Sequence, residues 1–159
     1  MIATQSQSPA FPAIKFPHVA RVILPPLHRV RIKHPEAPAL KNLEKTVANA
    51  LSSSRHLQQI PKGSEVAIAV GSRGIAKIDK ITRTVVSGLK VIDLKPFIIP
   101  AMGSHGGSTG QGQQEVLKKL GIDDVSMGCE IRSSMKTVDY GLVTEGIHCH
   151  FDTNAAGAA

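Results

Sequence analysis

A chain of 159 residues has room for one ordinary domain, and 42% hydrophobic with 19% charged residues is a globular composition. Aromatics make up only 3% and there is no Trp, so any core must be aliphatic and fairly small. The net charge of +7 would suit a polyanion, but the 19 Lys and Arg are scattered from Lys15 to Lys136 without an aromatic platform, helix-turn-helix or zinc-finger spacing, which argues against a nucleic-acid partner.

Residues 1–26 are rich in Ser, Gln and Pro, and the prolines at 9, 12, 17, 25 and 26 oppose both helix and sheet, so this stretch reads as a mobile leader. Its first residues, 1–12, have no basic start followed by a long apolar run, so neither a secretory signal nor a spanning helix is expected there. Two cysteines, Cys129 and Cys149, are too few for a disulfide framework, and a reducing, cytoplasmic setting is expected.

Residues 27–33 alternate Leu27, Val30 and Ile32 with Arg29, Arg31 and Lys33, imperfectly, as a short half-exposed strand would. Leu40, Leu43, Val47 and Leu51 recur at helical spacing, predicting an amphipathic helix over 39–55. The compact apolar run 65–70 predicts a strand covered on both faces, ended by the turn 71–74. Ile78, Ile81, Val85 and Leu89 mark a second amphipathic helix, and 96–102 a second buried strand. Pro100 lacks a ladder donor, so it should sit at a bulge or an unpaired edge position. After Gly103-Ser-His-Gly-Gly107, Ser108 and Gln111 stand in capping-box spacing, opening a helix with Val116, Leu117 and Leu120 on its core side and Gly121 as its stop. Residues 136–143 and 147–151 read as a hairpin or a pair of short strands.

Strand, helix, strand, helix is the βαβ pattern of an α/β fold with an open parallel sheet and flanking helices. Its functional consequence is positional: the turns 71–74 and 103–107 both follow strand carboxyl ends and should open on one sheet edge, where ligands of such sheets bind. Glycines 103, 106 and 107 permit positive φ and a close ligand approach, and the following helix offers its amides to an anion. They could equally do no more than make a tight strand-to-helix turn. The pattern is neither the dinucleotide fingerprint nor a Walker loop. His105 lies within its turn, where a neutral imidazole could take a hydroxyl proton, and Arg73 in the other turn could grip a carboxylate or phosphate at two points. His148 and His150 would share one face of a strand and suit one metal, with Cys129 as a further candidate ligand, but Cys149 would point away and no Cys-x-x-Cys pair accompanies them, so no metal site is expected in this chain.

Three runs carry a resemblance: Val66-Ala-Ile-Ala-Val-Gly-Ser-Arg-Gly-Ile75, Pro96-Phe-Ile-Ile-Pro-Ala-Met-Gly-Ser-His-Gly-Gly107 and Met127-Gly-Cys-Glu-Ile-Arg-Ser-Ser-Met135. Together they resemble the N-terminal domain of the lactate racemase-like isomerases that use a nickel pincer nucleotide, over residues 27–159. The resemblance implies racemisation or epimerisation of a 2-hydroxy acid by reversible hydride transfer to that cofactor. It implies His105 as one of two acid/base histidines, Gly71, Ser72 and Arg73 as the cofactor-contacting turn, and Arg73 with Ser104 as substrate contacts. Where that family commonly has Thr-Arg-Pro with an Asp shortly before, this chain has Ser72-Arg73-Gly74 after Val70. The second histidine, the cofactor-holding lysine and the nickel-ligating histidine would lie in a C-terminal domain beyond Ala159. Residues 154–159, starting after Asp152 without a polar stop, look like a helix cut short, and 152–159 should pack poorly, so the chain reads as a fragment, the alternative being a natural small protein with an unstructured tail. The alternative of another class is a noncatalytic module binding a small phosphorylated or carboxylate ligand at the two turns.

Overall fold

The computed structural model describes residues 26, 28–33, 38–144 and 146–159. The leader expected over 1–26 lies outside them except for Pro26, as does Leu27. The chain divides into two units, Met1–Ala37 and Pro38–Ala159. In the first, residues 28–33 form no strand: they are irregular and exposed, with Val30 77% and Ile32 72% accessible. Alternation of side chains does not make a strand where no partner supplies a ladder.

The second unit is a mixed α/β fold. Its elements in order are α1 (Leu43–Ser52), α2 (Arg55–Gln59), β1 (Glu65–Val70), α3 (Ile78–Val91), β2 (Lys95–Pro100), α4 (Gly110–Lys119), α5 (Asp124–Met127), β3 (Thr137–Leu142) and β4 (His148–Asp152). The helix expected over 39–55 starts later and ends earlier. Asn42 caps α1 by accepting from the Lys45 amide at 2.9 Å, and Leu40, counted into the apolar stripe, is exposed. Ser54 then caps the separate α2.

β1 and β2 are parallel and in register from Glu65↔Lys95 to Val70↔Pro100, as the βαβ reading requires. Even-numbered residues face the helices: Val70 and Ile98 pack with Val86, Leu117, Ile122, Met127 and Ile131, while Val66 packs with Leu89 and Leu94. Leu51 of α1 lies where a Cβ on Gly88 would be, so α3 accepts α1 at close range.

On the far edge of β2 the Ile98 amide donates to Glu130 O at 2.9 Å, and the Arg132 amide donates to Ile98 O at 2.8 Å. Pro96 and Pro100 stand two residues either side of Ile98 on that same edge. Neither has an N–H to give, so the segment around Ile131 bridges β2 at one point only. Pro100 thus occupies an edge position without a ladder donor, the kind of place its chemistry demands.

The opposite sheet face, Ala67, Phe97 and Ile99, is covered by Ala155 and Ala158, and the Arg132 guanidinium lies 4.0 Å from the Phe97 ring centroid. The expectation of a poorly packed tail over 152–159 is met at the exposed Thr153, Gly157 and Ala159 but fails at Ala155. Residues 153–157 form turns rather than an incipient helix, Ala155 is buried, and the Ala159 amide donates to Glu65 O at 2.9 Å. Small side chains let the turn lie flat on two large apolar residues, which is why an alanine-rich stretch without helical polarity packs. Arg132 adds an ion pair with Glu65 at 2.7 Å and another with Glu130 at 2.8 Å. β3 and β4 form an antiparallel hairpin with a bulge between Asp139 and Leu142. No helix among the described residues is long and apolar enough to cross a membrane.

Candidate functional site

Parallel pairing in register brings the two turns side by side, and the Ala101 amide donating to Val70 O at 2.8 Å ties their roots together. Gly71, Ser72 and Arg73 from the first turn and Ala101, Met102, Gly103 and Ser104 from the second line a cavity of about 460 Å³. This is the sheet edge expected from the sequence, and Gly71, Ser72, Arg73 and Ser104 all border it.

His105 opens a 3₁₀ turn, His105–Ser108, and is half-buried. Ser72 Oγ lies 2.7 Å from its Nδ1. On the other side Arg73 Nε donates to His105 Nε2 at 3.1 Å, with Arg73 Nη2 2.7 Å from the same nitrogen. A guanidinium has donors and no acceptor, so Nε2 must present its lone pair. The neutral ring consequently carries its proton on Nδ1 and donates it to Ser72 Oγ. That tautomer speaks against Ser72 as a nucleophile, because an activated serine gives its proton to a ring lone pair. Ser72 instead orients the imidazole so that its basic nitrogen meets Arg73.

Of the turn's glycines, Gly103 borders the cavity, while Gly106 serves the packing of the backbone. Gly106 and Gly107 both have φ of 66°. A Cβ on Gly106 would come within 2.3 Å of Gly112 C and 2.5 Å of Gln113 N, so the turn presses directly on the start of α4. The first turn of α4 stands apart from the cavity, so an anion held by its amides would not share that cavity. α4 is capped by Thr109, which accepts from the Gly112 amide at 3.0 Å, and no first-turn residue of α4 borders the cavity. Ser108, read as the cap, has φ of 55° and cannot take the extended cap conformation that Thr109 has at φ −125°.

A buried glutamine on α4 ties the second turn to the helix. Gln113 is 5% exposed and its Nε2 donates to Gly103 O at 2.8 Å, anchoring the His105 turn to α4. Its signal was present: residues 113, 117 and 120 lie on one helical stripe, and the first is polar.

His148 and His150 do share one face of β4, but Cys129 is half-buried elsewhere in the fold and Cys149 is exposed between them. Among the described residues no group of three or more His, Cys, Asp and Glu is placed to hold a metal ion. The cavity walls offer one guanidinium and two hydroxyls, with no lysine, thiolate or carboxylate; the His105 imidazole stands next to them with both nitrogens engaged by Ser72 and Arg73. These residues do not by themselves fit a nickel pincer nucleotide, since a ligand for the metal and a lysine to anchor the cofactor are both lacking in the donor set. No family model matches the chain, and neither does any curated protein or solved structure.

Proposed function

We propose that the cavity between the two turns binds a small 2-hydroxy carboxylate and supplies one acid/base group, His105, to a racemase or epimerase reaction. The observation that carries this reading is the contact of Arg73 with His105 Nε2 beside a cavity roomy enough for a small acid. A carboxylate is a better partner for a guanidinium than a neutral imidazole is, because both of its oxygens accept and it carries charge. A substrate carboxylate therefore draws Arg73 away from Nε2. The hydroxyl on the adjacent carbon then takes the vacated place and donates a hydrogen bond to Nε2, while Ser72 keeps Nδ1 bound. Anion binding and exposure of the base become one event.

Inversion also requires a hydride acceptor and a base on the opposite face of the planar keto intermediate. The described site provides neither, and His105 reaches one face only. The same gap favours the second reading, a noncatalytic module for carboxylate or phosphate ligands, which Arg73 alone could serve.

The two separate in a binding and turnover experiment on the purified chain. Lactate should bind more tightly than propionate, by roughly fivefold for one added hydrogen bond, and Arg73→Gln should weaken both by at least about tenfold. Equal binding of lactate, propionate and phosphate would favour the simple anion module. Incubated with nickel pincer nucleotide, the 159-residue chain should leave enantiomer ratios unchanged by chiral chromatography, and racemisation by this chain alone would overturn the half-site reading.

A further inference from the structure

The β3–β4 hairpin carries an arrangement that the cavity does not use. His148 and His150 are two residues apart on β4, so both imidazoles leave the same strand face. Their rings are nearly parallel, 22° apart, with centroids 6.3 Å from each other. The other face of the hairpin carries Tyr140 and Phe151, edge to face at 5.8 Å. The two histidines are exposed, so packing does not account for their pairing.

Asp139 stands opposite His150 in register, and its Oδ2 lies 2.9 Å from His148 Nδ1. Its Oδ1 accepts the Gly141 amide at 2.7 Å, so the bulge holds the carboxylate in place. An ionised carboxylate only accepts, which fixes the proton of neutral His148 on Nδ1 and leaves the lone pair on Nε2. A carboxylate behind a histidine, with the far ring nitrogen open, is the usual second-shell support of a metal-bound imidazole.

We propose that His148 and His150 chelate one late first-row divalent cation, Zn²⁺, Ni²⁺ or Cu²⁺, with Asp139 orienting His148 from behind. Imidazole nitrogen binds such ions at about 2.0–2.1 Å, so the two ligating nitrogens must approach to ~3.3 Å. Both rings are exposed, so closing that gap falls to side-chain rotation at His150 and involves no core residue. Nitrogen ligands select these ions over Mg²⁺ and Ca²⁺, which prefer oxygen. Two protein ligands leave the remaining positions to water or to a further ligand.

The test is calorimetric titration of the tag-free 159-residue chain with Zn²⁺ and, separately, Ni²⁺. One ion per chain is expected. Asp139→Asn should weaken binding by about 10- to 100-fold, the usual cost of a lost carboxylate behind a ligating histidine. His150→Asn should abolish the chelate, whereas His56→Asn and His105→Asn should leave the ion bound as before. As a readout that needs no variant, substoichiometric Ni²⁺ should broaden the imidazole proton signals of His148 and His150 ahead of those from the other five of the seven histidines. Unchanged affinity in the double variant His148→Asn/His150→Asn, or broadening spread evenly over all histidines, would overturn the proposal. Loss of binding in His105→Asn alone would place the ion in the cavity and overturn it equally.

Discussion

Replacing Gly106 by alanine should damage the site in a way that replacing its neighbour does not. Both Gly106 and Gly107 have φ of 66°, so alanine at either carries the left-handed strain of an L-residue, about 1–2 kcal/mol. At Gly107 a Cβ meets nothing within 4 Å, and that strain is the whole cost. At Gly106 the new carbon would lie 2.3 Å from Gly112 C and 2.5 Å from Gln113 N and Gly112 O, all backbone atoms at the start of α4. They cannot rotate aside, so the turn and the helix must separate by about 1 Å, adding roughly the 1–3 kcal/mol of overpacking. The total is about 2–5 kcal/mol, and the excess over Gly107→Ala should appear in urea denaturation as a midpoint lower by roughly 0.5–1.5 M. Where Gly106→Ala still folds, its His105 should lose its fixed relation to Ser72 and Arg73. Equal midpoints for the two variants would refute the claim that the turn is pressed against α4.

Three further outcomes follow from the same contacts. Gln113→Leu should remove the clamp on Gly103 O and cost about 1–2 kcal/mol in denaturant unfolding, with weaker lactate binding; undiminished binding would show that α4 does not position the turn. Hydrogen bonding to Arg132 holds the Glu65 carboxyl below its ordinary value, and the Ser126 and Gly141 amides do the same for Asp123 and Asp139. Groups depressed in the folded state contribute stability that is present above about pH 4 and lost as the pH falls through their folded values, so Tm should decline below about pH 4, less steeply in Glu65→Gln; a flat Tm from pH 5 to 2 would contradict this. Removing residues 152–159 should uncover Phe97 and Ile99 and cost about 1.5–3 kcal/mol, with increased binding of an apolar dye, whereas unaltered stability would mean the tail does not cover that face.

Local signals account for what the sequence revealed. β1, α3 and β2 were legible because an unbroken apolar run, a helical apolar stripe and a second apolar run leave few alternatives, and parallel pairing then places Arg73 and His105 together. Boundaries depended on subtler choices. Leu40 fits the helical stripe but precedes the cap at Asn42, and Thr109 caps α4 because Ser108 is already in the left-handed region. What joins distant residues was not legible. Arg132 meets Glu65 across 67 positions and lies over Phe97, and Ala155 finds the same sheet face, through packing that no periodicity announces. The fixed tautomer of His105 likewise needed Ser72 and Arg73 to be seen on its two nitrogens.

The most direct test of the central claim is the state of the two His105 ring nitrogens, read by ¹⁵N NMR in the neutral form of the ring. Without ligand, Nδ1 should be protonated and Nε2 should be an acceptor, with a coupling partner in the Arg73 guanidinium. Lactate should shift His105 Nε2 and Arg73 Nε together and saturably, while propionate should shift Arg73 Nε, move Nε2 only as far as losing the guanidinium requires, and leave it without a new donor. A His105 ring protonated on Nε2, or one whose nitrogens do not respond to lactate when Arg73 does, would contradict the account.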